Sequence, residues 1–159
     1  QRISDYTFSK CISLTEIKIP GNIREIGYKS FSGCSGLREI SIPSTVKTVG
    51  IGAFENCTEL KDISLPTTLT EINYYTFSGC TSLTTLTLHS KLTAINNYAF
   101  AGCKSLTEIH CKNSNPPLIG ENTFRDVNRI GCKIFVPSKR AKKSYSTALY
   151  WNEFTIYIE

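Results

Sequence analysis

Apolar positions along this chain keep phase every 23 residues. Phe recurs at Phe8, Phe31, Phe54, Phe77 and Phe100, and Cys at Cys11, Cys34, Cys57, Cys80 and Cys103. Leu follows three residues after each Cys, from Leu14 to Leu106. Next come Ile17, Ile40, Ile63, Leu86 and Ile109, and two residues on Ile19, Ile42, Leu65, Leu88 and Cys111. Inward positions 17 and 19 alternate with outward 16 and 18, which is strand periodicity. Pro20, Pro43 and Pro66 then close the strand, with His89 in the fourth copy, because proline cannot donate to a ladder. A second apolar pair follows in each copy: Ile23 and Ile26, Val46 and Val49, Leu69 and Ile72, Leu92 and Ile95. One copy cannot bury its apolar side alone, whereas stacked copies share a core. The pattern predicts about five 23-residue coils of parallel short strands.

Two columns suggest coil corners. Gly27, Gly50, Asn73 and Asn96 follow the second apolar pair, and Gly33, Asn56, Gly79 and Gly102 precede the Cys. Gly and Asn enter the left-handed region at low cost, so both columns are expected there. The segment between them, such as Tyr28–Phe31, reads as a short turn. Near the C-terminus, Ile119, Gly120 and Phe124 start a sixth turn one residue late, with Val127 where the Cys would stand. Ile134, Val136 and Pro137 repeat the strand-plus-proline pattern. Ser138 is a good N-cap for a helix over 138–150, with Ala141, Tyr145, Ala148 and Leu149 on one stripe. Ile156 and Ile158 alternate like a strand. These features divide the chain into repeats over 1–124, the first copy partial, and a helix-plus-strand cap over 125–159. The basic run Lys139, Arg140, Lys142 and Lys143 reads as the solvated face of that lid, with a patch for an acidic partner or lipid head groups as the alternative.

The consensus C-x-x-L-x-x-I-x-I-P-x-x-I-x-x-I-G-x-x-x-F resembles the BspA-like, or Treponema-type, leucine-rich repeats over about residues 3–124. Residues 134–151 resemble the cap of similar proteins from gut Bacteroidetes. The resemblance implies a right-handed leucine-rich repeat solenoid with a C-terminal cap. It also implies a secreted or cell-surface protein with a part in adhesion.

The chain has 159 residues, a net charge of +5, 40% hydrophobic and 19% charged residues. That charge is too diffuse to imply nucleic acid. No apolar run is long enough to cross a bilayer, and no targeting segment opens the chain. Seven cysteines raise the question of disulfides or metal. Five of them (Cys11, Cys34, Cys57, Cys80, Cys103) share one column, where stacked side chains point the same way rather than at each other. They are expected to form a buried thiol ladder. There is no C-x-x-C pair and no His beside the column, so no metal is expected. Cys111 and Cys132 lie on successive coils, and a bridge between them stays open. His89 and His110, with Glu108, are a weak candidate for acid–base or metal chemistry. No G-x-S-x-G elbow or phosphate-binding glycine motif is present. Neither a cofactor nor enzymatic activity is expected.

Two surfaces remain as candidates for binding. Outward strand positions form an acidic column of Glu16, Glu39, Asp62 and Glu108, interrupted by Thr85. It lacks an aromatic anchor. Tyr6, Tyr75 and Tyr98 stand two residues before the Phe column, and Tyr28 and Tyr74 three before it, with Ile51 in that column. Tyrosine offers contact area at low entropic cost, so Tyr28, Tyr74, Tyr75 and Tyr98 are the preferred surface and the acidic face the alternative. The expected function is a non-catalytic, secreted or cell-surface protein-interaction module, with a host or extracellular-matrix protein as partner. The alternative is a structural spacer that displays other domains. The pattern sets no oligomeric state.

Overall fold

The computed structural model describes residues 1–159. The expected strand line appears as β3 (Glu39–Ser41), β5 (Asp62–Ser64), β7 (Thr85–Leu88), β9 (Glu108–Cys111), β11 (Lys133–Val136) and β12 (Thr155–Ile158). A second line, not expected, runs along the other apolar pair: β1 (Arg2–Ile3), β2 (Glu25–Ile26), β4 (Thr48–Val49), β6 (Glu71–Ile72), β8 (Ala94–Ile95) and β10 (Leu118–Ile119). Pairing is parallel throughout, and the 23-residue register stacks each column: Glu39 lies beside Asp62 and Leu86 beside Ile109. A third row of main-chain bonds joins the turns, with the N–H of Phe8, Phe31 and Phe54 donating to the carbonyls of Ser30, Ala53 and Thr76 at 2.7–2.8 Å. The winding continues through the cap, so the stack reaches about seven turns rather than five.

Between the two strand lines and the turns lies one apolar cluster of 39 buried residues. Its spine is the Phe column. Rings from Phe8 to Phe124 stack at 5.1–5.6 Å. The cap closes this spine. Helix α1 (Lys139–Thr147) starts at Ser138, whose Oγ accepts from the Ala141 N–H at 3.1 Å. Ala141 and Tyr145 are buried as expected, but Leu149 is exposed: the helix ends at Thr147, and Ala148 turns to extended backbone. Trp151, in a 3-10 turn (Trp151–Glu153), packs against Phe124 at 5.8 Å and edge-on to Tyr145 at 5.2 Å. Its Nε1–H donates to the Pro117 carbonyl at 2.8 Å. Phe154 meets Phe124 edge-on at 5.6 Å. No helix is long and apolar enough to cross a membrane.

One corner column behaves as expected. Gly33, Asn56, Gly79 and Gly102 all have φ between 58° and 76°. The Gly27 and Gly50 column does not adopt positive φ. Glycine is needed there for close approach: a Cβ on Gly50 would lie 2.6 Å from the Gly27 carbonyl carbon. Asn73 brings a Cβ into that column. The strand lines part there, since β4 does not pair with β6 nor β5 with β7. Where Gly50 N–H donates to the Ile26 carbonyl at 2.8 Å, the Asn73 side-chain Nδ2 reaches the Val49 carbonyl instead, at 2.9 Å. The second left-handed corner sits two residues later, at Tyr6, Lys29, Gly52, Tyr75 and Tyr98, with φ of 47–64°.

Candidate interaction surfaces

That corner governs the tyrosines. Tyr28, Ile51 and Tyr74 occupy one turn-side column over three successive coils, 37%, 40% and 45% exposed. Coil spacing of roughly 4.8 Å makes this one continuous apolar strip. Beside it, Tyr75 and Tyr98 stack face to face at 4.9 Å, with Tyr75 the more exposed. Tyr28 instead meets Tyr6 edge-on at 5.2 Å, and the Lys29 ammonium lies 5.7 Å from its ring centroid. Lys29 also pairs with Glu55 at 3.1 Å. The four tyrosines singled out in the sequence therefore fall in two columns, Tyr28 and Tyr74 with Ile51 between them, and Tyr75 with Tyr98. Tyr6, Tyr75 and Tyr98 hold aromatic side chains on left-handed backbone, where Gly52 shows the unstrained choice. An L-residue there costs about 1–2 kcal/mol.

The strand face divides as well. Glu16, Glu39 and Asp62 are exposed and line one groove of about 890 Å³ with Lys18. Arg38 turns away to Glu59 at 3.2 Å, so it does not relieve the Glu39–Asp62 neighbours. Glu108 stands apart at the cap end. It lies 3.5 Å from His110 Nε2, while His110 Nδ1 lies 2.5 Å from Glu159. Lys112 completes this cluster through Glu159 at 2.5 Å. Hydrogen bonds from Lys112 and His110 hold the Glu159 carboxyl below its ordinary pKa. His89 turns elsewhere: its Nδ1 accepts from the Lys91 N–H at 3.3 Å, and burial lowers its pKa. The strand face is not without aromatics. Phe135 stacks on His110 at 4.9 Å and Tyr157 follows at 5.7 Å, a row the 23-residue phase concealed.

The cysteine column forms a ladder from its second member onward. Cys34, Cys57, Cys80 and Cys103 are fully buried. Each thiol donates to the Phe carbonyl one coil back, at 3.0–3.4 Å. Burial pushes Cys34 up to about 11, Cys57 and Cys103 up to about 12, and Cys80 well above its ordinary value. Cys11 departs from the expectation. It is exposed in the first turn. Cys111 and Cys132 are both free and buried. Phe135 lies beside His110, so Cys111 faces the end of β11 and Cys132 precedes its start. About four strand residues separate them, roughly 13 Å, well past the ~7 Å Cα limit for a bridge. A thiol reagent on the native protein is therefore expected to label Cys11 quickly and the other six only after unfolding. Rapid native labelling of Cys57 would contradict the ladder.

The pattern described as BspA type leucine rich repeat region matches residues 1–135 in six copies. No curated protein sequence matches the chain significantly. Among solved structures, a leucine rich cell surface protein from Faecalibacterium prausnitzii is 29% identical, with a TM-score of 0.71 over 87% of this chain and 34% of its own. The leucine rich repeat protein of T. pallidum is 30% identical, with a TM-score of 0.66 over 69% of this chain and 51% of its own. The pneumococcal vaccine antigen PcpA shares the fold at 23% identity, with a TM-score of 0.64 over 91% of this chain and 41% of its own. The chain thus spans about a third to a half of the length of these structures. Its 23-residue coils, stacked Phe spine and matched repeats together establish that this chain belongs to the BspA-type leucine-rich repeat family.

Proposed function

We propose that this chain is a non-catalytic protein-interaction module of a secreted or cell-surface protein, and that its contacts run through the turn-side tyrosines. The observation that carries this reading is the exposed strip of Tyr28, Ile51 and Tyr74 flanked by the Tyr75–Tyr98 stack. Aromatic anchors dominate binding energy at interfaces. Two of these rings are kept on backbone that glycine would occupy without strain. The likeness to the Faecalibacterium cell surface protein supports the location. A host or extracellular-matrix protein is the partner class we favour.

The test immobilises purified matrix proteins and compares the chain with a variant carrying Tyr74→Ala, Tyr75→Gly and Tyr98→Gly. Glycine at φ near 60° removes strain of about 1–2 kcal/mol, which offsets the lost ring stack of about 0.5–1.5 kcal/mol. Thermal stability should therefore stay close to that of the parent, while binding falls at least about tenfold. No binding by the parent to any matrix protein would leave the spacer reading ahead.

A further inference from the structure

The spacing of the tyrosine strip selects its occupant. Tyr28, Ile51 and Tyr74 lie inside the stack, with the coil of Asp5 before them and that of Asn97 after. Ile119 pairs with Ile95, so Glu121 continues the same column one coil beyond Asn97. With coils roughly 4.8 Å apart, Tyr28 and Tyr74 stand about 9.6 Å apart along the stack, and Glu121 about 9.6 Å further on. A polyproline II helix turns once every three residues, about 9.3 Å. Over the run from Tyr28 to Glu121 it slips by only about 0.6 Å. An α-helix slips by about 2.4 Å over that run, and the same-face positions of a strand miss Tyr74 by about 3 Å.

The neighbouring column adds a notch. Tyr98 covers one face of the Tyr75 ring, and the other looks toward Gly52, which has no side chain to cover it. The Lys29 stem and the Glu55 carboxylate form the floor, each within 3.4 Å of where a Cβ on Gly52 would stand. Their charges cancel through the 3.1 Å ion pair. Asp5 is likewise engaged, by Arg2 at 2.8 Å. Glu121 is exposed and its carboxylate is unpaired: Arg129 donates only to its main-chain carbonyl, at 3.0 Å, and pairs with Glu153. We infer that the tyrosine side binds a proline-rich segment of another protein in polyproline II form, with a basic residue three positions past the proline on Tyr74. Prolines three apart would meet Tyr28 and Tyr74, the residues between them would cross Ile51, and the cation would reach Glu121. Such a segment is already extended and loses little entropy on docking. The inference rests on the reading that the tyrosine side carries the contacts, and it names the chemistry of the partner.

The probe is a capped peptide of nine prolines followed by Lys. Its counterparts end in Glu, or replace the prolines with Gly and Ser. The Gly-Ser peptide should bind at least about tenfold more weakly. The Glu peptide should be about fivefold weaker in salt of about 50 mM, with the difference fading at about 500 mM. Glu121→Lys should reverse that order, and the tyrosine variant described above should lose all three peptides. Equal binding of the Gly-Ser peptide, an order that survives Glu121→Lys, or no binding of the proline peptides would overturn the inference. Tighter binding of a peptide alternating Ile with Thr would assign the strip to an extended strand and overturn it equally. A matrix protein that binds through the tyrosines but is not displaced by the proline-Lys peptide would overturn this inference and leave the interaction module standing. Proline-Lys binding without any matrix binding would support the inference and remove only the matrix partner.

Discussion

Raising the pH from about 7 to about 10 is expected to bring this fold close to unfolding. Six thiols are buried: Cys34, Cys57, Cys80, Cys103, Cys111 and Cys132. Burial raises Cys34 to about 11, Cys57, Cys103, Cys111 and Cys132 to about 12, and Cys80 well above its ordinary value. In the unfolded chain they ionise near the ordinary thiol value. A group whose folded pKa is raised contributes stability below its unfolded pKa and loses it as pH rises toward the folded value. The vulnerable window therefore runs upward from about pH 9. Each thiol gives up about 1.4 kcal/mol by one pH unit above that point. Six together reach an upper figure of roughly 8 kcal/mol, comparable with the whole stability of a domain. Urea unfolding in the presence of reductant checks this. The midpoint should collapse between neutral and alkaline pH, with several protons released on unfolding at the alkaline end. A midpoint that holds would contradict the thiol burial.

Removal of residues 138–159 should produce the second large loss. Tyr145, Trp151, Phe154 and Ile156 would leave the core, and the end of the Phe spine at Phe124 would face water. A repeat array without its cap exposes the apolar end of its last coil. Aggregation or a strongly lowered melting temperature is expected on size-exclusion and thermal melts. Trp151→Ala is the graded version. It deletes a fully buried ring and its hydrogen bond to Pro117, at a cost of about 3–5 kcal/mol. At roughly 2–4 °C per kcal/mol, melting should fall by about 6–20 °C. A truncated chain that stays monomeric and equally stable would make residues 138–159 an appendage rather than a lid.

What could be read from the sequence was what repeats. Phe31, Cys34 and Leu37 recur in strict phase, so the coil length, the Phe spine and the thiol column were all legible. The second strand line was not, because Ile23 and Ile26 are spaced by three and show no alternation. Gly27 and Gly50 pointed to left-handed corners, yet they serve close packing, and the corner falls on Tyr75 and Tyr98, residues that ordinarily avoid it. The effect of Asn73 on strand pairing depends on how closely Gly50 meets the preceding coil, a distance only the fold reveals. Phe135 and Tyr157 escaped notice because they follow His110 by 25 and then 22 residues, out of step with the repeat.

The preference for the tyrosine side over the acidic groove is tested most directly by two variants against one immobilised matrix protein that the parent binds. The first carries Tyr74→Ala, Tyr75→Gly and Tyr98→Gly, and the second Glu39→Lys with Asp62→Lys. Both are measured in salt of about 50 mM and about 500 mM, since charge pairs are screened over this range and aromatic burial is not. Binding should be lost in the tyrosine variant, kept in the charge-reversed one, and change little with salt. Loss confined to the charge-reversed variant, together with steep salt dependence, would contradict the account and move the interface to the groove of Glu16, Glu39 and Asp62.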